Sequence, residues 1–366
     1  MVELAEIFRQ YGPAYREKYA GELLPSHLAA MKAIEQCRSA ALGGEVFYCE
    51  GCQQYHFVYR SCGNRHCPKC QHQAGEEWLA AQQGLLLPTP YFLITFTLPA
   101  ALRSLLRSHQ KIGYNLLFRA SAEALQELAY DPRFVGGRIG MVGVLQTWAR
   151  DMSYHPHVHY LVPGGGLSFD GERWERARNH FFVHCKPLGI LFRAKFRAGL
   201  KECGLFDQVP ASVWCVEWVV DCQPVGNGAT ALKYLAPYVF RVAISNNRIE
   251  KLENDTVTYR YKDSASGQNR RCSLAVDEFI RRFLQHVLPK GFVKVRYYGF
   301  FAPGNRRLLA QVHSLLGANA KPVAPSEPTT STALPAQPTS HCPRCGQPLR
   351  WVETLPRRRI IRAPPG

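Results

Sequence analysis

The chain has 366 residues, enough to bury a substantial core in two or three structural units, and it sets 45 Lys and Arg against 28 Asp and Glu, a formal charge of +17. No apolar run approaches the roughly 18 residues that span a bilayer, and the opening "MVELAEIFRQYG" lacks an apolar signal core, so a soluble protein inside the cell is expected, with no membrane partner. So large a basic excess repels itself unless a polyanion accompanies it, and nucleic acid is the expected partner.

In chain order the first landmark is cysteine. Thirteen cysteines inside a cell are metal ligands or buried apolar groups more readily than disulfides, and six fall between Cys37 and Cys70. Cys49/Cys52 and Cys67/Cys70 are CxxC pairs fourteen residues apart, the spacing of a zinc ribbon or knuckle. Each pair turns tightly enough to aim two sulfurs at one ion, and four soft thiolates close a tetrahedron around zinc. The expected ligands of one structural zinc are therefore Cys49, Cys52, Cys67 and Cys70, with Cys37, His56, Cys62 and His66 as surplus that leaves the final set open.

A mixed α/β stretch follows. "YFLITFTLP" (91–99) alternates like a buried strand, and "ALRSLLRSHQKIGYNLLFRASAEALQELA" after it has helical apolar spacing. "RIGMVGVLQTWAR" (138–150) is a strand leading to "SYHPHVHYLVPGGG" (153–166), and "LSFDGERW" is hairpin-like around Asp170-Gly171. "PLGILFRAKFRAGLKECG" predicts a basic amphipathic helix ended by Gly204, and "SVWCVEWVV" a strand. "TALKYLAPYVFRVA" is helical in period, "RIEKLENDTVTYRYKD" a hairpin and "SLAVDEFIRRFLQHVLPKG" a further helix. Residues 317–340, rich in Pro, Ala, Ser and Thr, predict a disordered linker, and 341–366 a basic tail with a lone CxxC.

The histidines carry chemistry. On a strand His155, His157 and His159 project to one side and Val158 and Tyr160 to the other, and Pro156 leaves His157 and His159 as the surer metal pair. Gln146, eleven residues before His157 on the preceding strand, is a candidate third ligand, and His155 is its rival. So incomplete a coordination sphere keeps positions open for phosphate oxygens. Tyr234 and Tyr238, four apart, share a face on a continuous helix, although Pro237 between them kinks it. A phenol with pKa ~10 attacks phosphorus usefully only when a cation or base helps it lose its proton.

"SCGNRHCPKCQ", then "LQTW" before "HPHVHYLVPGGG", then "YLAPYVFRVAIS" resemble, in that order, the rolling-circle transposases of bacterial insertion sequences, the insertion-sequence ninety-one group of the HUH (His, hydrophobic, His) endonucleases. The resemblance covers about residues 10–310. It implies an α+β fold, with a central, mainly antiparallel sheet flanked by helices in an HUH nuclease domain (85–316) and a small zinc-binding domain before it (1–80). It also implies His157 and His159 as the metal pair, Mg²⁺ or Mn²⁺ as the catalytic ion, and Tyr234 and Tyr238 as nucleophiles that hold DNA 5′ ends as phosphotyrosine. The implied partners are single-stranded and hairpin DNA at transposon ends and target DNA, in a bacterial cytoplasm beside the nucleoid.

Unpaired DNA needs cations and stacking surfaces. Arg193, Lys195 and Arg197 around Phe196, the "KVRYYGFF" stretch, and Lys233 and Arg241 beside the tyrosines are the candidates. No GxxxxGK[ST] motif accompanies them, which weighs against replication initiators and relaxases with helicase parts. A zinc DNA-binding regulator without enzymatic activity, or a plain metal-dependent phosphodiesterase, stays open on the residues alone.

Overall fold

The computed structural model describes residues 2–82, 85–178, 181–228, 230, 239, 242–263, 266–317 and 341–357. Helices α1 (Leu4–Lys18) and α2 (Pro25–Gln36) open the chain, the first capped where the Glu6 carboxylate accepts the Glu3 amide at 2.9 Å. Strands β1 (Gly44–Cys49) and β2 (Gln54–Tyr59) make a hairpin, and α3 (Pro68–Gln82) follows. Next come β3 (Pro90–Thr97), α4 (Arg103–Ser108) and α5 (Gln110–Tyr130), so the long helical period after β3 is broken at His109. Strands β4 (Met141–Trp148) and β5 (Tyr154–Pro163) lead to the short hairpin β6 (Gly165–Leu167) and β7 (Trp174–Arg176). Helix α6 (Cys185–Glu202) ends before Gly204, whose φ is +67°, as its sequence predicts.

Strand β8 (Val220–Asn227) begins later than "SVWCVEWVV" suggests, because Ala211–Trp214 is a 3-10 turn. Trp214 and Trp218 stack there at 5.9 Å, and Trp218 inserts between Phe192 and Phe196 of α6. Indole burial takes precedence over pleating in this stretch. The next three strands, β9 (Ile249–Glu253), β10 (Thr256–Lys262) and β11 (Asn269–Ala275), form an antiparallel sheet that extends the expected hairpin by one strand. Helix α7 (Val276–Leu284), β12 (Val295–Tyr298), α8 (Arg306–Leu315) and β13 (Arg350–Leu355) complete the described chain.

The central sheet is antiparallel throughout, in the order β12-β4-β5-β3-β8. Alternation divides its faces. On one, Phe92, Ile94, Phe96, Leu145, Val158 and Tyr160 pack against α4, α5 and α6. On the other, Leu93, Val142, Val144 and Leu161 pack with Phe300, Phe301 and Val312. Gln146, His157 and His159 continue that second face beyond its apolar part. The fold is α+β, as expected.

The expected division at residues 80–85 does not mark two separate cores. Leu4, Ile7, Phe8, Met31 and Ile34 of α1 and α2 share one cluster with Val257, Tyr259, Phe279, Ile280 and Phe283. Phe8 meets Phe283 edge-on at 5.4 Å. The apolar stripe of α7 needs a cover, and the N-terminal helices supply it. Nor is the described part of the C-terminal segment, residues 341–357, a tail: β13 pairs with β1 to give the sheet β13-β1-β2. The segment 318–340, expected to be a linker, lies outside the described residues.

Fully buried Phe96 joins sheet to helices through the rings of Tyr160 at 5.7 Å and Phe192 at 5.1 Å. Phe96→Ala is expected to cost about 3–5 kcal/mol, read as a lower urea midpoint at unchanged slope. A loss below about 1 kcal/mol would mean that this layer is not the packed core described.

Candidate metal centre and nucleic-acid cleft

Strand β5 lies between β4 and β3, so each histidine has a fixed neighbour on both sides. His157 is opposite Gln146 on β4 and Thr97 on β3, and His159 is opposite Val144 and Thr95. Opposed residues in a ladder share a face, which brings Gln146, His157 and His159 together in a buried row. The two imidazoles are edge to face at 4.7 Å.

Their hydrogen bonds select the ligand atoms. His157 Nδ1–H donates to the His155 carbonyl at 2.6 Å, and His159 Nδ1 lies 2.9 Å from the Thr95 hydroxyl. The carbonyl can only accept, so His157 carries its proton on Nδ1 and keeps Nε2 available to a metal, and His159 does the same when its Nδ1–H donates to Thr95, the device by which an outer partner fixes a ligand's tautomer. Burial pushes His157 down to about 4, and burial followed by the neighbouring His157 holds His159 well below its ordinary value. Both rings are thus neutral at ordinary pH, as metal binding requires.

Gln146 adds an oxygen. Its Nε2 donates to the Trp148 carbonyl at 3.3 Å, while its Oε1 is buried with no hydrogen-bond partner among the described residues. A buried orphan acceptor costs about 1–3 kcal/mol, a cost that a cation beside it removes. Two imidazole nitrogens and one amide oxygen fit a divalent ion that keeps open positions. His155, the rival third ligand, is differently engaged: Arg103 donates to its Nδ1 at 2.7 Å. Since guanidinium is only a donor, the ring proton sits on Nε2, and neither nitrogen is left to ligate. The ladder also slips here, two residues of β5, His155 and Pro156, opposing the single Thr147 of β4 between the pairs Gln146/His157 and Trp148/Tyr154.

Tyr234, Tyr238, Lys233 and Arg241 lie outside the described residues. Beside Gln146 opens a cleft of about 350 Å³ lined by Trp148, Arg150, Val242, Ser245, Arg248 and Lys262. Arg248 donates to the Arg260 carbonyl at 2.9 Å and to that of Arg150, tying β10 to the end of β4. Three cations at one opening suit the phosphates of a nucleic-acid strand. Nothing in the sequence marks Arg150, Arg248 and Lys262, since they meet only through the fold.

Of the described cations chosen from the sequence, Lys294 of "KVRYYGFF" stands by the cleft, its ammonium 5.1 Å from the Trp148 ring centre, and the others are elsewhere. Arg193, Lys195 and Arg197 ride on α6, which packs on the opposite face of the sheet from His157. Arg193 donates to the carbonyls of Trp214 and Val216, Lys195 pairs with Glu127 at 2.6 Å, and Arg197 lies over Phe206 and Trp214. In "KVRYYGFF", Arg296 lies 4.3 Å from the Phe118 ring centre, and Phe300 and Phe301 are core. An apolar-and-basic pattern on a helix reports a packed face and a solvated rim without saying which face of the sheet it covers.

The cysteine arrangement also differs from expectation. Cys49, Cys52, Cys67 and Cys70 do not surround one point; Cys67 and Cys70 gather with Cys37 and Cys62, while Cys49 and Cys52 face Cys342 and Cys345. The reason is β2, an extended strand of six residues between the two CxxC pairs, which carries the chain about 20 Å away from Cys52. In the first cluster Cys37 lies 3.5 Å from Cys67 and 3.6 Å from Cys70, and Cys62 lies 3.5 Å from Cys70. Sulfurs about 2.3 Å from a tetrahedral zinc stand about 3.8 Å apart, so the set fits that ion. The surplus His66 is not a ligand here: burial pushes it down to about 3, and its Nε2 accepts the Leu288 amide at 3.3 Å. Its neighbour Arg65 donates to the carbonyls of Phe292 and Pro289 at 2.5 and 2.7 Å.

Comparison with known proteins gives two family matches, "Transposase zinc-binding domain" over residues 7–98 and "Putative transposase" over residues 140–308. The chain is 40% identical over 375 residues to "Putative transposase y4qJ" of Sinorhizobium fredii (strain NBRC 101917 / NGR234), covering 94% of this chain and 93% of the relative. It is 26% identical over 283 residues to "Transposase for insertion sequence element IS801" of Pseudomonas savastanoi pv. phaseolicola, covering 73% of this chain and 68% of that protein. With a zinc-binding part, a transposase part and a relative matched along nearly its whole length, the chain belongs to the IS91 family of rolling-circle transposases.

Proposed function

We propose that this transposase nicks and joins single-stranded DNA at transposon ends through a covalent 5′-phosphotyrosine. The observation that carries the reading is the neutral, buried row His157, His159 and Gln146, of which Gln146 lines a basic cleft. Tyr234 and Tyr238 are the nucleophiles. Support for them comes from their spacing and from the described residues nearby: Val239 belongs to the apolar cluster of Val144 and Leu161, and Val242 lines the cleft.

His157 and His159 through Nε2, and Gln146 through Oε1, would hold a divalent ion, Mg²⁺ or Mn²⁺. When bound, such an ion polarises a phosphate and stabilises charge at the phosphoryl oxygens. The unpaired strand is held by Arg150, Arg248 and Lys262 on its phosphates. A tyrosine oxygen forms a bond to phosphorus as the bond to the 3′ oxygen breaks in line. The phenol's proton is given up and the departing oxygen leaves as a 3′-hydroxyl. One phosphodiester is exchanged for another, so no nucleotide cofactor is consumed and the step reverses when a 3′-hydroxyl attacks the phosphotyrosine. Two tyrosines let two ends be held at once, which is what cutting a donor and joining a target requires. A structural zinc at Cys37, Cys62, Cys67 and Cys70 keeps the N-terminal helices and the Arg65 loop in place. No helix among the described residues is long and apolar enough to cross a membrane.

Incubation with a labelled single-stranded transposon end should give a covalent protein–DNA adduct. The double variant Tyr234→Phe, Tyr238→Phe should abolish the adduct yet retain the DNA in a shift assay; an adduct of wild-type yield would sink the tyrosine assignment. The third ligand is tested separately. Gln146→Ala should raise the metal concentration for half-maximal cleavage by about 10–100-fold while His155→Ala leaves it nearly unchanged, and the reverse pattern would make His155 the ligand. Cys67→Ser should remove one zinc per chain by elemental analysis and lower the melting temperature of the whole chain, because the cluster sits in the core that α7 shares. Unchanged zinc and melting would mean that Cys67 is only a buried thiol.

A further inference from the structure

Cys49 and Cys52 lie at the tip of the β1–β2 hairpin, and the two cysteines that meet them come from the far end of the chain. Cys52 and Cys342 are 290 positions apart in sequence with their sulfurs 3.9 Å apart, and Cys49 lies 3.5 Å from Cys345. All four sulfurs fall within 4.8 Å of one another. That is too far for a disulfide and brackets the roughly 3.8 Å edge of a zinc–thiolate tetrahedron. Each half is a knuckle. In the C-terminal one the Cys342 amide donates to the Gln347 carbonyl at 2.7 Å, and the Gly346 amide returns to the Cys342 carbonyl at 2.8 Å. Nearby, His56 Nε2 lies 3.4 Å from the Cys342 sulfur, where its N–H can stabilise a thiolate.

We infer that these four cysteines bind a second zinc ion, which clasps the C-terminal segment to the N-terminal hairpin and makes the zinc ribbon from both ends of the chain. Two further observations support the clasp. The N-terminal half is shaped for its visitor: a Cβ on Gly51 would meet Gln347 Oε1 at 2.5 Å, and one on Gly43, whose φ is +70°, would meet the Leu355 carbonyl at 2.4 Å. Glu45 accepts from Trp351 Nε1 at 3.0 Å and from the Thr354 hydroxyl at 2.6 Å, fixing β13 in register against β1. Yet residues 341–357 bury little, and Cys342 is their one fully buried side chain. Strand pairing on an exposed edge cannot by itself hold so small a segment, so the ion is what retains it.

The test uses the full chain, with a site-specific protease sequence inserted between Gly317 and His341. Elemental analysis of the intact protein should find two zinc ions per chain, and one in the Cys342→Ser, Cys345→Ser variant, whose other cluster is untouched. After cleavage the C-terminal fragment should stay with the body through gel filtration and leave when a chelator strips the metal. The same fragment should leave the serine variant without chelator. Cobalt added to metal-free wild-type protein should develop thiolate-to-cobalt absorption up to two equivalents, a readout independent of how the variant folds. One zinc in wild type, a fragment that departs with two still bound, or one that stays after all metal is gone, would each overturn the clasp.

Discussion

Alternation along β5 is the constraint on which the site depends. Tyr160 and Val158 point into the helix-covered core, Tyr160 through its hydroxyl to the Phe118 carbonyl at 3.1 Å and to Ser121 at 2.9 Å. Because these side chains are locked, His157 and His159 have no choice of face, and because β4 and β3 pair on both edges, their Cα positions are fixed as well. A register slip of one residue would exchange the two sets, placing imidazoles in the aromatic core and a tyrosine at the site. Core packing thus holds the geometry of the proposed ligands, and the contact of His159 with Thr95 is part of the same arrangement.

The zinc-bearing part shares contacts with the segments that lead into the central sheet. Arg65 and His66 lie between Cys62 and Cys67, and both bond to the backbone of residues 288–292, a few residues before β12 enters the central sheet. On its other side the cluster touches α1, α2 and α7 through Cys37 and Cys67. These contacts tie the zinc-bearing part both to the segment that leads into the central sheet and to the helices of the shared core.

Much of this was legible in the sequence, for identifiable reasons. The alternation of "YFLITFTLP" and "HPHVHYLVP" is a local signal, and the strands formed where the period of two placed them. The histidine face followed from the same arithmetic. What was lost is what depends on long-range closure. Cys49 and Cys67 look like partners because both stand in CxxC pairs a short distance apart, but spacing is a count along the chain, and an extended strand converts fourteen residues into separation. The partner of Cys52 is at Cys342, and no local pattern announces a contact across 290 positions. Arg150, Arg248 and Lys262 were missed for the same reason, while Arg193 and Lys195 were conspicuous because they cluster on one helix.

The charge of the site completes the reasoning about its substrate. Gln146, His157 and His159 are all neutral, so the set brings no negative charge to a bound cation, unlike a carboxylate site. The surrounding cleft contributes Arg150, Arg248 and Lys262. Compensation must then come from whatever enters, and a phosphodiester strand supplies it at every step of its backbone. A neutral ligand set in a basic cleft is poor at holding an ion alone and better with the substrate's phosphate in place, so ion and DNA should each strengthen the binding of the other.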